Sequence, residues 1–388
     1  MNPAMELELR KFVAPEFVFG SGARHLVAQY AANFGARKVL VVTDPGVIKA
    51  GWTKDVTDTL ESAEISHIVF SDVTSNPRAE EVMAGAEVYR QERCNAIVAV
   101  GGGSPIDCAK GIGIVVTNEK HILDFEGVDE VPIPAPPLIC IPTTSGSAAE
   151  VSQFAIITDL ARRVKIAIIS KTIVPDAALI DPVTLTTMPS DLTAYTGLDV
   201  LVHALEAFVS NAQSPITSMF ALEACRLVPH YLAATIREPE NMIPRGKMMR
   251  ASLSAGLAFS NAGLGLAHAM AHSLGGLLDK PHGESNAILM PYVVSYNFAE
   301  AADEYTEIAD AMGLDVAKKS SEDVKIILVN ALKELVQSVG VAPKLSDIGV
   351  KHSDIPELAR HAMDDLDIAT NPRAPSQRDV EVVYEQAL

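Results

Sequence analysis

Histidine and aspartate recur at helical spacing in the second half of this 388-residue chain. Asp199 and His203 stand four residues apart in TGLDVLVHALEAF, and His268 and His272 repeat that spacing in GLAHAMAHSLGG. Residues four apart lie one turn apart on the same face of a helix. His282 follows in DKPHGESN, in a turn rich in Pro and Gly. These five side chains therefore call for a common explanation.

The segments around these histidines are apolar, and an unpaired imidazole is costly to bury. Taken singly, each histidine is better explained as a core residue with a hydrogen-bond partner. Taken together, they favour a divalent metal, because three imidazoles and one carboxylate suit Fe²⁺ or Zn²⁺. One histidine would remain to carry a proton, since imidazole titrates near neutral pH. Glu206, one turn beyond His203, could support a ligand.

A glycine-rich turn, AVGGGSPIDCAK (99–110), lies between a predicted strand and a predicted helix. Glycine lets backbone amides approach a ligand closely, and the amino end of a helix attracts anions. The turn is thus a candidate pyrophosphate site, formed by Gly101, Gly102, Gly103 and Ser104. We predict Ser104 as the N-cap, Pro105 as the first helical residue and Asp107 as the end of a capping box. The alternative is a tight turn that binds nothing.

Polar residues also close two other predicted strands. Asp44 ends the strand in VVTDPG, where a carboxylate can bind ribose hydroxyls and repel a 2′-phosphate, favouring NAD over NADP. An Asp-Pro-Gly turn explains Asp44 equally well. This acidic strand end precedes the glycine run, unlike the standard dinucleotide fingerprint. Hydroxyl side chains follow the later strand in PTTSGSAAE (142–150), where they could face a ligand or cap the next element.

The elements that carry these loops form an alternating pattern of short apolar runs and amphipathic stretches. The runs are continuously apolar, as in a parallel sheet that is buried on both faces, and they lie at 38–44, 65–72, 95–103 and 137–144. Strand–helix alternation predicts a doubly wound, mostly parallel sheet. The runs 153–159 and 164–170 predict a hairpin added antiparallel to that sheet. The segment ALIDP (178–182) is the last of these segments in the first half of the chain.

The second half of the chain changes to long Ala- and Leu-rich segments with helical spacing. They span 190–211, 215–235, 245–261, 263–278, 284–299, 301–312 and 322–339. We predict a dinucleotide-binding α/β domain over 1–187 and an all-helical metal-binding and substrate domain over 188–388. Residues 251–278 lack Asp, Glu, Lys and Arg, but their Asn, His, Ser and Gly residues favour a buried helical hairpin over a membrane span.

The overall charge and the cysteines narrow the class of protein. The chain has 31 Lys and Arg against 49 Asp and Glu, a formal net charge of −18, and no basic cluster. This charge balance argues against nucleic acid or an anionic membrane as the main partner. The four cysteines form no CxxC pair, which favours reduced thiols in a cytoplasmic protein. The N-terminus, MNPAMELELRKF, has no apolar segment typical of a signal peptide.

The motifs resemble those of the group III, iron-containing alcohol dehydrogenases. The similar stretches are GGGSPIDCAK, PTTSGSAAE, DPVTLTTMPSDLTAYTGLDVLVHALEAFVS and GLAHAMAHSLGG…PHGESNA, and the resemblance runs from about Phe12 to about residue 385. The combination of D-x₃-H with H-x₃-H-x₉-H in this order is highly specific. The resemblance implies a dehydroquinate-synthase-like dinucleotide-binding domain followed by a helical metal domain.

The resemblance also implies roles for individual residues. The metal ligands would be Asp199, His203, His268 and His282. His272 would lie near the nicotinamide and relay a proton. The cofactor NAD would be bound by a larger group, in which Asp44 meets the adenosine ribose and Asn76 lies on the adenine side. The remaining cofactor residues would be Gly101, Gly102, Gly103, Ser104, Asp107, Thr143, Thr144, Ser147 and Lys165.

This sequence departs from the family pattern in one loop. The family reads roughly PTT-x-G-T-G-S-E, so Ala148 stands where a glycine is usual and Ala149 where a serine is usual. This loop and the start RKFVAPEFVFGSGA resemble the ErcA-like subgroup. The expected activity is hydride transfer between NAD(H) and a small primary alcohol or aldehyde, with Fe²⁺ or Zn²⁺, in a homodimer or larger assembly. The alternatives are a zinc-dependent polyol dehydrogenase of the glycerol type and a regulatory protein that binds NAD and metal without strong turnover.

Overall fold

The computed structural model describes residues 9–388, which cluster in two compact units. One unit is Val13–Met188, and the other is Pro189–Leu388 together with residues 9–12. Most of the N-terminal segment considered for a signal peptide lies outside the described residues.

The first unit contains a six-stranded parallel sheet. Along the chain its strands are β1 (Glu16–Phe19), β2 (Lys38–Val42), β3 (Ser66–Phe70), β4 (Ala96–Gly101), β6 (Leu138–Pro142) and β9 (Ala177–Ile180). Their order across the sheet is β1-β9-β6-β4-β2-β3, and all the pairs are parallel. The central strands β4 and β6 are buried along their whole length, which explains their uninterrupted apolar sequence. The predicted doubly wound sheet is thus confirmed.

Helices of this unit cover the sheet and complete two separate apolar cores. They are α1 (Val27–Asn33), α2 (Pro45–Ala50), α3 (Trp52–Ser62), α4 (Ala79–Gln91) and α5 (Gly103–Asn118). Alternate residues of each strand enter opposite cores, so that Leu40 packs in one and Val41 in the other. Both faces of the sheet are therefore shielded from water.

The predicted hairpin is present, but its predicted place in the main sheet is wrong. Strands β7 (Phe154–Asp159) and β8 (Val164–Ile169) pair antiparallel, and β8 also pairs with the two-residue strand β5 (Gly127–Val128). These strands form a separate three-stranded sheet with the order β5-β8-β7. The edge of the main sheet beside β9 is occupied by β1, a strand that the apolar pattern did not predict.

The second unit is helical, as predicted. Its helices are α6 (Ser190–Val209), α7 (Pro215–Arg237), α8 (Met242–Ala262), α9 (Leu266–Leu278), α10 (His282–Asn297), α11 (Ala302–Ala311), α12 (Ser321–Ser338), α13 (Ile355–Met363) and α14 (Gln377–Ala387). Helix α8 ends at its C-cap, Gly263, and the chain turns there toward α9. Glycine suits this position because φ is +75° and a Cβ would lie 2.7 Å from Thr370 Oγ1. Helix α6 is long and apolar enough to cross a membrane, but 83% of its most apolar window is buried inside the structure, as in a core helix.

Candidate functional site

Four side chains from three helices of the helical unit converge on one point. Asp199 and His203 lie one turn apart on α6, His268 lies on α9, and His282 is the first residue of α10. One potential ligand atom of each lies within 4.8 Å of those of the other three. The Nε2 atoms of His268 and His282 lie 3.9 and 3.8 Å from Asp199 Oδ1. The structure thus brings together all four residues predicted as metal ligands.

The chemistry of this cluster fits a divalent cation. His203 is buried, and its Nδ1 has no hydrogen-bond partner among the described residues. Burial, together with the neighbouring His268, lowers the pKa of His203 to about 4, although Asp199 opposes the shift. Its ring is therefore neutral at pH 7 and can offer a lone pair, as metal binding requires. Three imidazoles and one carboxylate suit Fe²⁺ or Zn²⁺.

Glu206 supports the cluster through His268 rather than through His203. Its Oε2 accepts hydrogen bonds from His268 Nδ1 at 2.6 Å and from the backbone N–H of Gly265 at 3.0 Å. Its Oε1 accepts from the backbone N–H of Ala267 at 2.6 Å. A proton on Nδ1 leaves Nε2 as the lone-pair donor, on the side of Asp199.

The environment of Glu206 opposes its charge. Burial raises the pKa of Glu206 to about 7, although the N–H groups of Ala267 and Gly265 favour the charged form. A divalent cation nearby would favour the carboxylate further. Metal binding and ionisation of this carboxyl group therefore reinforce each other.

Asn286 and Phe259 are two further neighbours that the sequence did not predict. Asn286 Nδ2 donates to Asp199 Oδ1 at 2.8 Å and lies 3.2 Å from His282 Nε2. The ring of Phe259 stacks on His203 with 4.4 Å between the centroids. Asn286 follows His282 by four residues on α10, a spacing that could have suggested this contact.

His272 lies beside the cluster and belongs to a second group. Its ring is 5.2 Å from that of His282 and 6.1 Å from that of His268, centroid to centroid. Its Nδ1 lies 3.0 Å from Asp365 Oδ2 and 3.7 Å from Asp367 Oδ2. Both aspartates come from the C-terminal region that the sequence pattern left without predicted elements.

The two aspartates have opposite electrostatic environments. For Asp365, burial acts to raise the pKa, but the nearby His272 outweighs burial and holds the pKa below its ordinary value. For Asp367, repulsion from Asp365 and Glu206 adds to burial and raises the pKa well above the ordinary value. The surroundings of Asp365 therefore favour its charged form, whereas those of Asp367 disfavour it.

In the α/β unit, the glycine turn lies at the carboxyl end of β4, but its predicted cap is wrong. Helix α5 begins at Gly103 with Gly102 as its N-cap, so Ser104 is the second helical residue and Pro105 the third. Asp107 does not complete a capping box: its Oδ2 accepts from the backbone N–H of Ile156 at 3.3 Å. The helix begins earlier than predicted because two glycines, and no side-chain cap, make the turn out of β4.

Glycine is required in this turn because the loop PTTSGSAAE (142–150), which carries the hydroxyl side chains, lies directly against it. A Cβ on Gly103 would lie 2.9 Å from the side chain of Ser147, and one on Gly102 would lie 3.0 Å from Thr144. The backbone N–H of Thr143 donates to Gly101 O at 2.9 Å. The structure thus brings the predicted pyrophosphate turn and Thr143, Thr144 and Ser147 together.

The loop itself contains a strained residue. Ala148 adopts φ +49° and ψ +28°, a left-handed conformation that glycine adopts without penalty. This is the position at which the family pattern has glycine.

The same loop ends at a buried acidic residue, Glu150. Burial raises the pKa of Glu150 to about 7, although its own backbone N–H and Lys110 oppose the shift.

The remaining predicted cofactor residues lie on other strand ends and loops of the same unit. Asp44 follows β2, the neighbour of β4, and its Oδ1 accepts from Val47 N–H as the N-cap of α2. The turn-forming role considered for Asp44 is therefore present. Asn76 has φ +58°, and its carbonyl accepts from Thr158 Oγ1 at 3.2 Å. Lys165 is the partner of Thr158 across the β7–β8 hairpin.

Comparisons with known proteins identify the family. A model described as "Iron-containing alcohol dehydrogenase" matches residues 14–182, and one described as "Fe-containing alcohol dehydrogenase family, C-terminal" matches residues 193–388. This chain belongs to the iron-containing alcohol dehydrogenases. The predicted resemblance to this family and the predicted enzyme class are confirmed, and the ErcA-like subgroup stays a prediction.

Relatives of this iron-containing alcohol dehydrogenase match it along nearly the whole chain. The 1,3-propanediol dehydrogenase of Citrobacter freundii is 38% identical over 371 residues, which are 95% of this chain and 96% of the relative. The NAD-dependent methanol dehydrogenase of Bacillus methanolicus is 35% identical over 377 residues, which are 97% of this chain and 99% of the relative. The crystal structure of a 1,3-propanediol oxidoreductase superposes with a TM-score of 0.95 at 37% identity, covering 98% of this chain and 100% of that chain.

Proposed function

We propose that this chain is a cytoplasmic, NAD-dependent dehydrogenase that transfers a hydride between NAD(H) and a small primary alcohol or aldehyde. The observation that carries this proposal is the cluster of four ligand atoms within 4.8 Å of one another on α6, α9 and α10. The Nδ1 atom of His203, which is buried without a hydrogen-bond partner among the described residues, is costly to bury unless something binds the ring.

Six residues of the helical unit would have a part in this chemistry. Asp199, His203, His268 and His282 would hold Fe²⁺, with Zn²⁺ as the alternative ion. A bound divalent ion supplies Lewis acidity, which makes an alcohol hydroxyl easier to deprotonate and an aldehyde carbonyl easier to reduce. Glu206 would hold His268 in the tautomer that binds metal, and His272 would accept or return the hydroxyl proton.

The α/β unit would bind the cofactor through its backbone as much as through its side chains. NAD supplies the hydride acceptor. The formal net charge of −18 repels an anionic cofactor, so the amides at the start of α5 would provide the local attraction. Asp44 would accept from the ribose hydroxyls, leaving no favourable place for a 2′-phosphate. The hydroxyls of Thr143, Thr144 and Ser147 would line the same site.

The nature of the substrate and partners follows from charge and from the named relatives. The relatives act on 1,3-propanediol and methanol according to their names, which supports a small alcohol as substrate here. The acidic composition argues against nucleic acid and anionic membranes as partners. Four buried free thiols agree with a reducing, cytoplasmic location. We further propose a homodimer or larger homo-oligomer.

A spectrophotometric screen tests this function. Protein prepared without oxygen is loaded with Fe²⁺ or Zn²⁺, and formation of NADH is followed with C2–C4 primary alcohols and diols. We expect turnover with at least one of them, and none in His268→Ala, which loses a ligand. Full metal and NAD binding without turnover across the panel would instead favour the regulatory alternative.

A further inference from the structure

The C-terminal segment 365–371 is anchored to the beginning of α9, the helix that carries His268 and His272. Asn371 Oδ1 accepts from the backbone N–H of Leu266 at 3.1 Å, and the Thr370 hydroxyl donates to Leu264 O at 2.6 Å. A short 3₁₀ helix over Leu366–Thr370 follows Asp365, which is its N-cap. The position of Asp365 relative to α9 is therefore fixed by several hydrogen bonds.

Both oxygens of Asp365 are engaged, and each has a different partner. Its Oδ1 accepts from the backbone N–H of Asp367 at 2.9 Å, and its Oδ2 lies 3.0 Å from His272 Nδ1. A backbone N–H can only donate, so Oδ1 remains an acceptor in any state of the side chain. A carboxylate accepts on Oδ2 as well, which places a proton on His272 Nδ1.

The side chains of Asp365 and His272 are largely buried, with 10% and 6% of their surface exposed. Water is therefore a poor substitute for either partner, and the hydrogen bond holds the ring in one orientation. The nitrogen that carries the proton in an imidazole is determined by the hydrogen bond of the other nitrogen.

We propose that Asp365 is the positioning residue of His272: it holds the imidazole as the Nδ1–H tautomer, so that Nε2 is the nitrogen that accepts the proton of the alcohol. This inference rests on the proposed function, because it gives His272 its orientation for that proton transfer. In the forward direction the O–H bond of the alcohol breaks and an N–H bond forms at Nε2. In aldehyde reduction the same proton returns to oxygen, while NADH supplies the hydride.

Asp365→Asn makes a directional test. The asparagine oxygen would keep the bond from Asp367 N–H, because only an oxygen can accept it, and asparagine caps helices as well as aspartate does. The amide NH₂ would then face His272 Nδ1, where two donors repel. We expect the ring to change to the Nε2–H tautomer, which cannot accept a proton at Nε2.

The expected kinetic effect is on kcat. General acid–base catalysis contributes about 10²- to 10⁴-fold, and the variant retains metal and hydride transfer, so we expect kcat to fall about 10- to 1000-fold with KM changed less than about threefold. Affinity for Zn²⁺ should stay within about twofold, because Asp365 is not among the four ligands.

Two control variants locate the effect. Asp367→Asn changes the other aspartate, 3.7 Å from the same nitrogen, and Asp364→Asn changes an exposed neighbour on the surface. Asp364→Asn should retain kcat within about threefold, and the loss in Asp367→Asn should be clearly smaller than the loss in Asp365→Asn. A loss in Asp367→Asn equal to that in Asp365→Asn would overturn the proposal.

Histidine ¹⁵N NMR of the Zn²⁺-loaded protein in alkaline buffer reads the tautomer without any turnover. His272 should be the Nδ1–H tautomer in the wild type and Nε2–H in Asp365→Asn, with the resonance identified by its loss in His272→Ala. An Nε2–H tautomer in the wild type would refute the proposal even if Asp365→Asn failed to fold. A wild-type protein that is fully metal-loaded but inactive would refute the proposed function and leave the positioning of His272 to be judged by NMR.

Discussion

Replacing Glu206 by Gln is the sharpest perturbation of the metal cluster that leaves all four candidate ligands in place. The Glu206 carboxylate accepts three hydrogen bonds, from the backbone N–H groups of Gly265 and Ala267 and from His268 Nδ1. Glutamine has one oxygen in place of two, and its NH₂ group is a donor. At least one of the three donors therefore loses its acceptor, and His268 loses its charged partner.

The size of the effect follows from these contacts. Loss of a carboxylate behind a ligating histidine weakens metal binding by about 10- to 100-fold. That range corresponds to about 1.4–2.8 kcal/mol of binding free energy. A donor left without an acceptor in the buried core costs a further ~1–3 kcal/mol of folding stability, which applies with or without metal.

Competition with a chromophoric chelator measures the Kd for Zn²⁺, and circular dichroism checks that the fold is kept. Glu223→Gln is a matched control, because Glu223 lies on α7 and pairs with Arg250 at the surface. We expect that control to bind Zn²⁺ like the wild type. A folded Glu206→Gln protein with a Kd within twofold of the wild type would refute the support attributed to Glu206.

Three other predictions concern the α/β unit. Gly103→Ala should weaken NADH binding about 5- to 100-fold by fluorescence titration, because overpacking against Ser147 costs about 1–3 kcal/mol. The control Gly246→Ala, where a Cβ would meet open space, should leave NADH binding unchanged. Unchanged binding in Gly103→Ala would contradict the close approach of the glycine turn to Ser147. Glu150 has a folded pKa of about 7 against 4.5 unfolded, so its contribution to stability is present below pH 4.5 and lost as the pH rises through 7. Glu150→Gln should therefore stabilise the protein more at pH 8 than at pH 5, and the free energy of unfolding gained at pH 8 should be up to about 3 kcal/mol. Thermal unfolding at the two pH values measures this, and an equal rise in Tm at both would refute a raised pKa. Ala148→Gly should raise the thermal stability by up to about 1 kcal/mol, and a lower Tm would argue against strain at this residue.

Most of the fold was predictable because its signals are local. A parallel strand buried on both faces is a continuous apolar run, so β2, β4 and β6 could be located from the sequence. Strand β3 lies at a sheet edge and only its Phe70 is buried, but its β-branched and aromatic residues still marked it as a strand. Strand β1 could not be located, since EFVF is short, lies at the sheet edge and is mostly exposed. Its conformation depends on pairing with β9, more than 150 residues away. The independent sheet of the hairpin likewise depends on a two-residue strand that no pattern marks.

In the candidate site, too, local contacts could be predicted from the sequence and long-range contacts could not. The pairs Asp199/His203 and His268/His272 are one helical turn apart, so their shared faces follow from sequence spacing alone. The contact between His272 and Asp365 joins residues 93 positions apart and arises only from packing of the C-terminal segment on α9. No local pattern distinguishes Asp365 from the other acidic residues around it.

The central claim is that Asp199, His203, His268 and His282 bind one divalent cation. Anomalous diffraction at the iron and zinc absorption edges, from crystals of protein prepared without oxygen, locates such an ion directly. We predict one peak per chain with all four side chains as its ligands. A folded protein with no peak among them, or with its only peak between His272, Asp365 and Asp367, would contradict this assignment.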